Sequence, residues 1–136
     1  MGELTRTTLA IEKDLLARLD AWMAGRGYTN RSEALRDMIR AALIEDEWTQ
    51  PRAQVVAALS IIYDHSARTL AQELTDIQHE DFHCIRCSQH VHLDHDHCLE
   101  VILMQGTAKQ LRRVADAIIA RRGVKAGKLT LMSKNV

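Results

Sequence analysis

Apolar residues recur along this chain with two different spacings, and the change from one spacing to the other predicts its elements. The first segment, 4–11, reads L-T-R-T-T-L-A-I and is rich in Thr, a residue favoured in strands, which predicts a short strand. Apolar positions three to four residues apart then predict two helices, one over 14–26 and one from Asn30 or Ser32 to the acidic residues at 45–47. Because no nearby segment offers a hairpin partner, we expect the strand to pair with one from outside the chain.

A second set of elements is predicted after the sole proline, Pro51, which lies in a polar break. Short aliphatic runs indicate strands, and a return to helical spacing indicates helices. The predicted elements are, in order, strand 55–63, helix 66–78, strand 88–93, strand 99–104, a helix opened by Gly106-Thr107 and ended by Gly123, and strand 128–132. This β-α-β-β-α-β order is typical of ferredoxin-like domains.

Together the two sets predict an α+β protein with two domains. We place a βαα domain at 1–49, a linker at 50–54 and a βαββαβ domain at 55–136. One strand with two helices cannot bury its apolar stripes alone, so two copies are expected to pair their strands into an antiparallel ribbon. A two-stranded ribbon of this kind fits the major groove of DNA.

The predicted ribbon presents Arg6, Thr8 and Ala10 on its outward face. Arginine can pair with guanine through two hydrogen bonds, and threonine can bond a base or contact a thymine methyl group. The start of the second helix offers backbone N–H groups to a DNA phosphate through Asn30, Arg31 and Ser32. The alternatives are a helical hairpin that only dimerises and an antitoxin module whose tail binds a toxin.

Composition and charge limit the class of protein. The 136 residues are 46% hydrophobic but only 4% aromatic, and 18 basic side chains balance 18 acidic ones. With no net charge, DNA binding must rely on a local basic patch. Three cysteines are an odd count for a disulfide framework, and no apolar run suits a signal peptide or a membrane span. We therefore expect a cytoplasmic protein with reduced thiols, no membrane association and a core completed by oligomerisation.

Candidate metal ligands are concentrated between His79 and Cys98, a run that holds six of the seven histidines and all three cysteines. Imidazoles and thiolates at this density indicate a transition-metal site. Strand alternation puts His90 and His92 on one face, and Cys98 follows after a short turn. His79, at the end of the preceding helix, could supply a fourth ligand. This donor set suits Zn(II), Cu(II) or Ni(II).

A C-x-x-C pair, Cys84 and Cys87, lies in the same run with His83 beside it. These three side chains could hold a second metal, such as zinc. On a strand, however, residues three apart point to opposite faces, which opposes chelation. Free thiols and surface histidines are the alternative interpretation.

Several neighbouring residues carry weaker signals. His65 is interpreted as a helix-start or surface residue and not as a ligand. His95 and His97 lie in the turn before Cys98, where they can tune the site without binding the metal. Glu100 is either a hydrogen-bond partner of a ligand imidazole or a solvated strand end.

The chain resembles a known family over most of its length. The segment R-G-Y-T-N-R-S-E-A-L-R-D at 26–37 is similar to that of ribbon-helix-helix repressors. From about Arg6 to Leu131 the chain resembles the nickel-responsive repressors called NikR. The shared motifs are Y-x-H at 63–65, T-x-x-Q-H at 75–79, H-V-H-x-x-H-D-x-C-L-E at 90–100 and I-A-x-R-G-V at 119–124.

The resemblance implies a ribbon-helix-helix head, an ACT-like C-terminal domain and a homotetramer built as a dimer of dimers. It implies one square-planar Ni(II) per subunit, bound by His90, His92 and Cys98 of one subunit and by His79 of a neighbour. Arg68 matches a position that contacts the DNA backbone in the family. On this resemblance we expect a repressor that binds a palindromic operator in response to nickel and controls nickel uptake.

Two alternatives stay open at this point. The same scaffold could respond to zinc, cobalt or copper, for which the additional cysteines are the main support. A metal-binding protein without DNA binding is the other, although such a protein would have no use for the N-terminal domain. We expect neither an enzyme nor a small-molecule substrate, because four protein ligands leave the metal no open position.

Overall fold

The structure is a computed structural model that describes residues 3–67 and 69–136. The chain forms two compact units that divide between Arg40 and Ala41. Helix α1 (Lys13–Ala24) and helix α2 (Arg31–Glu47) occur where the apolar spacing predicts them, and the last turns of α2 belong to the second unit. Among the helices in the described ranges, none has the length and apolar character needed to cross a membrane.

The connection between α1 and α2 follows from three local features. Gly27 has a φ of +73°, a left-handed conformation that glycine adopts at little cost. Oδ1 of Asn30 accepts a hydrogen bond from the backbone N–H of Glu33 at 2.9 Å, so Asn30 and not Ser32 caps α2. Arg31 donates two hydrogen bonds, of 2.8 and 2.7 Å, to the Asp20 carboxylate and thereby joins the two helices.

Residues 3–11 form no strand in the single chain, and nearly all of them are exposed. The strand predicted at 4–11 is therefore absent from the isolated chain. A strand is defined by backbone hydrogen bonds to a neighbour, and no described segment pairs with this one. The pairing of this segment with a strand from outside the chain stays a prediction.

The first unit also leaves much of its apolar surface uncovered. Only Met23 and Ala34 are buried among the described residues of this unit. Leu15 on α1 and Met38 and Ile39 on α2 remain about half exposed. Large apolar side chains that are exposed together indicate a surface that another molecule covers.

The second unit contains a four-stranded antiparallel sheet with strand order β2-β3-β1-β4. Its strands and helices are β1 (Gln54–Asp64), α3 (Leu70–Glu80), β2 (Ile85–His92), β3 (His97–Thr107), α4 (Ala108–Ile119) and β4 (Val124–Met132). The predicted β-α-β-β-α-β order and the α+β class are confirmed. The residues around Pro51 form turns between α2 and β1, and the domain bounds at 1–49, 50–54 and 55–136 stay a prediction.

The core of this unit lies between one face of the sheet and the two helices. Every second residue of β1 is buried, namely Val55, Ala57, Leu59, Ile61 and Tyr63. Leu111, Val114 and Ile118 on α4 and Leu70 and Leu74 on α3 pack against that face. The alternation fixes which side of each strand faces inward, and so it also fixes which side can carry a site.

Several element boundaries differ from the prediction. Strands β3 and β4 begin earlier than predicted, at His97 and Val124. Helix α3 begins at Leu70 and not at Ser66, because Asp64 accepts hydrogen bonds from the N–H and hydroxyl of Ser66 at 2.9 and 2.6 Å. That turn holds the segment after β1 outside the helix. Strand β2 begins earlier than predicted, at Ile85, and its pairing with β3 shifts between Ile85 and Cys87.

Candidate metal centre

Three of the predicted metal ligands meet on the hairpin formed by β2 and β3. His90 and His92 share a face of β2, and their ring centroids lie 4.9 Å apart. Cys98 pairs with His92 across the strands, and its Sγ lies 3.4 Å from His92 Nδ1. The two imidazoles are exposed, whereas the cysteine is fully buried. A cation approaching the imidazoles from solvent would meet the thiol at the base of the site.

A fourth side chain, His65, lies close to these three, although the sequence pattern does not predict it as part of the site. The potential ligand atoms of His65, His90, His92 and Cys98 all lie within 4.8 Å of one another. His65 follows directly after β1, and its backbone N–H donates to the carbonyl of Asp96 in the hairpin turn at 2.8 Å. His65 is exposed, as expected of a surface residue, but it does not start a helix, since α3 begins only at Leu70.

His79 lies in the last turn of α3 and outside the group of four in the single chain. It lines a cavity of about 370 Å³ whose walls also include His65, Gln78, His90 and Glu100. The structure therefore does not bring His79 together with the other three predicted ligands within one chain. Its assignment to the site of a neighbouring subunit stays a prediction.

The hairpin turn that separates His92 from Cys98 is organised by one carboxylate. Oδ1 of Asp94 accepts hydrogen bonds from the backbone N–H groups of Asp96 and His97, both at 2.8 Å. Those backbone bonds and the His97 side chain hold the pKa of Asp94 below its usual value. The turn thus fixes the spacing between the imidazole and thiol ligands.

The two histidines of the turn are placed differently from the ligands. His97 Nδ1 contacts the Asp94 carboxylate at 2.9 Å, and its Nε2 lies 2.9 Å from Nζ of Lys125. The side chain of His95 is 99% exposed. In the single chain neither histidine belongs to the group of four potential ligands.

Glu100 connects the wall of the site to helix α3. Its side chain is buried, and Oε1 accepts a hydrogen bond of 2.8 Å from Nε2 of Gln78. This excludes the interpretation of Glu100 as a solvated strand end. Because Gln78 directly precedes His79, the bond ties the end of α3 that carries His79 to the strand that carries Cys98.

Burial around the thiol shifts two pKa values upward. Desolvation raises the pKa of Tyr63 to about 12, and the charges of Glu100 and Cys98 add to the effect. Desolvation likewise raises the pKa of the Cys98 thiol, with further contributions from Asp94 and Glu100. Without a cation, therefore, Cys98 is a neutral thiol, and metal binding must release its proton.

A second potential metal-binding group lies between α3 and β2. It consists of Asp81, His83 and Cys84, whose potential ligand atoms also lie within 4.8 Å of one another. Cys87, predicted as a member of this set, is exposed on β2 and is not part of the group. The third member of the group is instead Asp81. The sequence pattern does not predict this, because Asp81 lies before the C-x-x-C pair.

The residues predicted to contact DNA lie in the first unit, with one exception. Arg6, Thr8 and Ala10 are exposed in the segment that precedes α1, and Ser32 is exposed in the first turn of α2. The side chains of Asn30 and Arg31 are engaged in the α2 cap and in the ion pair with Asp20. Arg68 lies outside the described residues.

Comparison with known proteins divides the chain into two matched regions. Residues 5–46 match the ribbon-helix-helix proteins of the copG family, and residues 56–132 match the NikR C-terminal nickel-binding domain. The chain is 49% identical over 131 residues to a protein of Solibacter usitatus named as a nickel-responsive regulator, covering 96% of this chain and 94% of that protein.

Two other relatives carry the same name. The protein from Methanocella arvoryzae is 45% identical over 134 residues, and the one from Trichlorobacter lovleyi is 40% identical over 133 residues. In both cases the match covers 98% of this chain and 96% of the relative. The similarity therefore extends over both units of the chain.

Proposed function

This chain belongs to the family of nickel-responsive regulators, and from that membership we propose that it represses transcription when nickel is bound. Its relatives are named as regulators and not as enzymes. The observation that carries the proposal is the meeting of His90, His92 and Cys98 at one point of the nickel-binding domain. Two imidazoles and one thiolate form a donor set that suits Ni(II).

The proposed site takes three ligands from one subunit and the fourth, His79, from a neighbour. The separation of His79 from the group of four in the single chain supports this division. One nickel per subunit would then require a tetramer arranged as a dimer of dimers. Bound nickel supplies a Lewis acid that holds the thiolate and the imidazoles of two subunits together.

The protein's own contacts offer a route from this site to the rest of α3. Gln78 is bonded to the buried Glu100, so the helix end that carries His79 is already held against the sheet. If His79 also bound nickel in a neighbouring subunit, this end of α3 would be held both to its own sheet and to that subunit. By thermodynamic linkage, an arrangement that favours DNA binding when nickel is present must also bind nickel more tightly when DNA is present.

For DNA recognition we propose that two copies of the head pair their 4–11 segments into a ribbon. The exposure of Arg6, Thr8 and Ala10 and the absence of an internal partner for this segment support the proposal. The start of α2 would contact phosphate groups, and Arg68 is proposed to contact the backbone as well. Two heads on one tetramer would read two half-sites, so the operator should be palindromic.

The regulated function is proposed to be nickel uptake, with the protein acting in the cytoplasm. Repression at high nickel would limit import of a metal that competes for imidazole and thiolate sites elsewhere. The three cysteines are free in the structure, which fits a reducing compartment.

One specific observation favours Zn(II) as a second candidate metal. His65 gives the single chain a complete set of three imidazoles and one thiolate, without any residue from a neighbour. Such a set suits tetrahedral Zn(II). If zinc were the physiological signal, His65→Ala would weaken the metal response and His79→Ala would not, whereas the nickel proposal predicts the reverse.

The proposal is tested by nickel titration of metal-free protein together with DNA binding. The DNA probe is the fragment that nickel-loaded wild-type protein selects from a random-sequence library. We expect one nickel per chain, a thiolate-to-nickel absorption band and DNA affinity that rises with nickel. Cys98→Ala should abolish the band and lower nickel affinity by at least about 10–100-fold.

The matched control is Cys87→Ser, because Cys87 is exposed and lies outside both ligand groups. This variant should retain the stoichiometry, the band and the DNA response of the wild type. Full nickel-dependent DNA binding by Cys98→Ala would show that the ligand assignment is wrong.

A further inference from the structure

The loop between α3 and β2 brings a carboxylate, an imidazole and a thiol together outside the nickel ligands. We propose that Asp81, His83 and Cys84 form a second metal site that takes a borderline divalent cation such as Zn(II) or Co(II). Their potential ligand atoms lie within 4.8 Å of one another. Metal–ligand bonds of about 2.0–2.3 Å place tetrahedral ligand atoms roughly 3.5 Å apart, so a small adjustment of the loop suffices.

Hydrogen bonds to backbone carbonyl groups hold this loop in a tight turn. Asp81 ends α3, and its backbone N–H donates to the carbonyl of Ile77 at 3.0 Å. The carbonyl of Asp81 in turn accepts from the N–H of Cys84 at 3.0 Å and from its thiol at 3.2 Å. This tight turn holds the side chains of residues 81, 83 and 84 on one side of the loop before any cation binds.

Two residues of α4 support the proposed ligands from behind. Arg113 pairs with Oδ1 of the Asp81 carboxylate, whose side chain is only 10% exposed, which leaves Oδ2 to coordinate a cation. Nε2 of Gln110 donates to Nε2 of His83 at 3.0 Å. Coordination through Nδ1 uses the tautomer that carries its proton on Nε2, so the Gln110 amide must then turn its Oε1 toward His83. Metal ligands in proteins are commonly oriented by such outer hydrogen bonds, which fix the rotamer of the ligand.

Cys84 supplies the soft donor of the set. It is almost completely buried, and desolvation together with the charge of Asp81 raises the pKa of its thiol. Metal binding would therefore release one proton to solvent and form one metal–sulfur bond, with no change in oxidation state. The thiolate and the Asp81 carboxylate supply two negative charges to a divalent cation, one of which is shared with Arg113, and the exposed side at His83 leaves room for a water ligand.

Cys87 does not belong to this site although it completes the C-x-x-C pair. The pairing of β2 with β3 is shifted between Ile85 and Cys87, and Cys87 is exposed on the strand. The chain thus provides its own matched control. Cys84 and Cys87 are close in sequence and identical in chemistry, but only Cys84 has two further ligands beside it.

The experiment isolates Cys84 as the only thiol by combining Cys98→Ala with Cys87→Ser. Titration of this metal-free double variant with Co(II) should give a sulfur-to-cobalt charge-transfer band that saturates at one cobalt per chain. Cobalt held by the remaining histidines of the nickel centre cannot produce that band, because no thiol remains there. Adding Cys84→Ser should remove the band, and absence of the band before that change would overturn the proposal.

A second substitution separates a built site from simple binding at a thiol. His83→Ala in the double variant should weaken cobalt binding at least about tenfold. His95→Ala in the same background should leave it unchanged, because the His95 side chain is 99% exposed and belongs to neither group of potential ligands. If His83→Ala left cobalt affinity unchanged, Cys84 would be binding cobalt alone and the proposal would be wrong.

The second site stands independently of the proposed repressor function. Cys84→Ser in the otherwise unchanged protein should keep one nickel per chain and the nickel-dependent binding of DNA. Loss of the cobalt band when Cys84→Ser is added to the double variant, together with a normal nickel response of the Cys84→Ser protein, would support both the second site and the proposed function. A cobalt band together with no nickel response in the wild type would support the second site and contradict the proposed function.

Discussion

Tyr63 shows how a single buried residue conditions the metal centre. It lies opposite Cys98 in the pairing of β1 with β3, and its hydroxyl is surrounded by groups that are, or can become, negative. Glu100 is the buried carboxylate on this side of the site, and its charge adds to the desolvation that raises the pKa of Tyr63. A cation bound nearby would therefore meet one buried carboxylate and the thiolate that it creates.

The ionisation of Tyr63 gives a first testable consequence. In a Tyr28→Phe variant Tyr63 is the sole tyrosine, and we expect it to ionise near pH 12 and not near 10.0. Because the folded pKa is the higher one, the associated stability is complete below pH 10.0 and is lost as the pH rises toward about 12. Near-ultraviolet absorbance of the phenolate measures this directly.

Glu100→Gln in the same background serves as the control for the cause of the shift. Removing the carboxylate charge should lower the pKa of Tyr63, although desolvation should keep it above the ordinary value. Ionisation of Tyr63 near 10.0 in the folded Tyr28→Phe protein would contradict the burial described for this wall.

At the residue scale, the sequence predicts those members of the potential ligand group that strand alternation places together. His90 and His92 required only a period of two, and Cys98 required only a short turn. His65 was missed because its position depends on a long-range backbone bond to Asp96 that no local pattern reveals. The second potential metal-binding group contains Asp81 and not Cys87, and this depends in the same way on an irregularity in the pairing of β2 with β3.

At the scale of elements, α3 is the part of the structure that connects the two proposed metal sites. One turn carries Gln78 and His79, and the helix ends at Asp81, the carboxylate that pairs with Arg113 on α4. Helix α3 is thus held to the sheet by one polar contact and to α4 by another. Both contacts involve buried carboxylates, whose loss of a partner is costly.

Arg113→Ala should destabilise the fold because it leaves the Asp81 carboxylate without its partner. The carboxylate is 10% exposed and the guanidinium 58% exposed, so solvent screens part of the interaction. We expect a loss of about 1–3 kcal/mol in the free energy of unfolding, measured by urea denaturation.

Two variants define the cause of that loss. Arg122→Ala changes an exposed arginine in the turn after α4 and should have little effect. Asp81→Asn combined with Arg113→Ala should recover part of the stability, since no unpaired charge remains. Equal stability of Arg113→Ala and Arg122→Ala would mean that the ion pair contributes nothing to the fold.

The order of the elements could be predicted because each has a clear apolar period and a local terminator. Thr107 caps α4 through a reciprocal pair of hydrogen bonds with Gln110, and Gly123 with a φ of +101° precedes β4. The strand predicted at 4–11 does not form in a single chain, because a strand requires hydrogen bonds to a second segment. The start of α3 was misplaced because the Asp64–Ser66 turn competes with the helix.

At the scale of the whole molecule, the first unit leaves an apolar surface and a strand segment that a second copy would cover. Its helices leave Leu15, Met38 and Ile39 about half exposed, and its first segment has no strand partner. Both features are explained if two heads share one apolar core and one ribbon.

Ile39→Asp should therefore weaken assembly through the head. A charge placed in a shared apolar core should lower the average mass in sedimentation equilibrium and reduce DNA binding. Ala41→Asp is the matched control, because it introduces the same charge on α2 two residues away, on a different side of the helix. An unchanged mass for Ile39→Asp would show that the exposed surface of α2 is not an interface.

The central claim is that a nickel site shared between subunits controls DNA binding, and mixed tetramers test it most directly. His79→Ala lacks the ligand given to the neighbour, whereas Cys98→Ala lacks a ligand of its own site. The measurement is nickel-dependent affinity for the selected DNA fragment, for each variant alone and after the two are unfolded and refolded together. We predict that each variant alone fails to respond and that the mixture regains a response, because intact sites form where a His79→Ala subunit receives His79 from a Cys98→Ala neighbour. A mixture as inactive as its components, or a normal response from His79→Ala alone, would contradict the shared site.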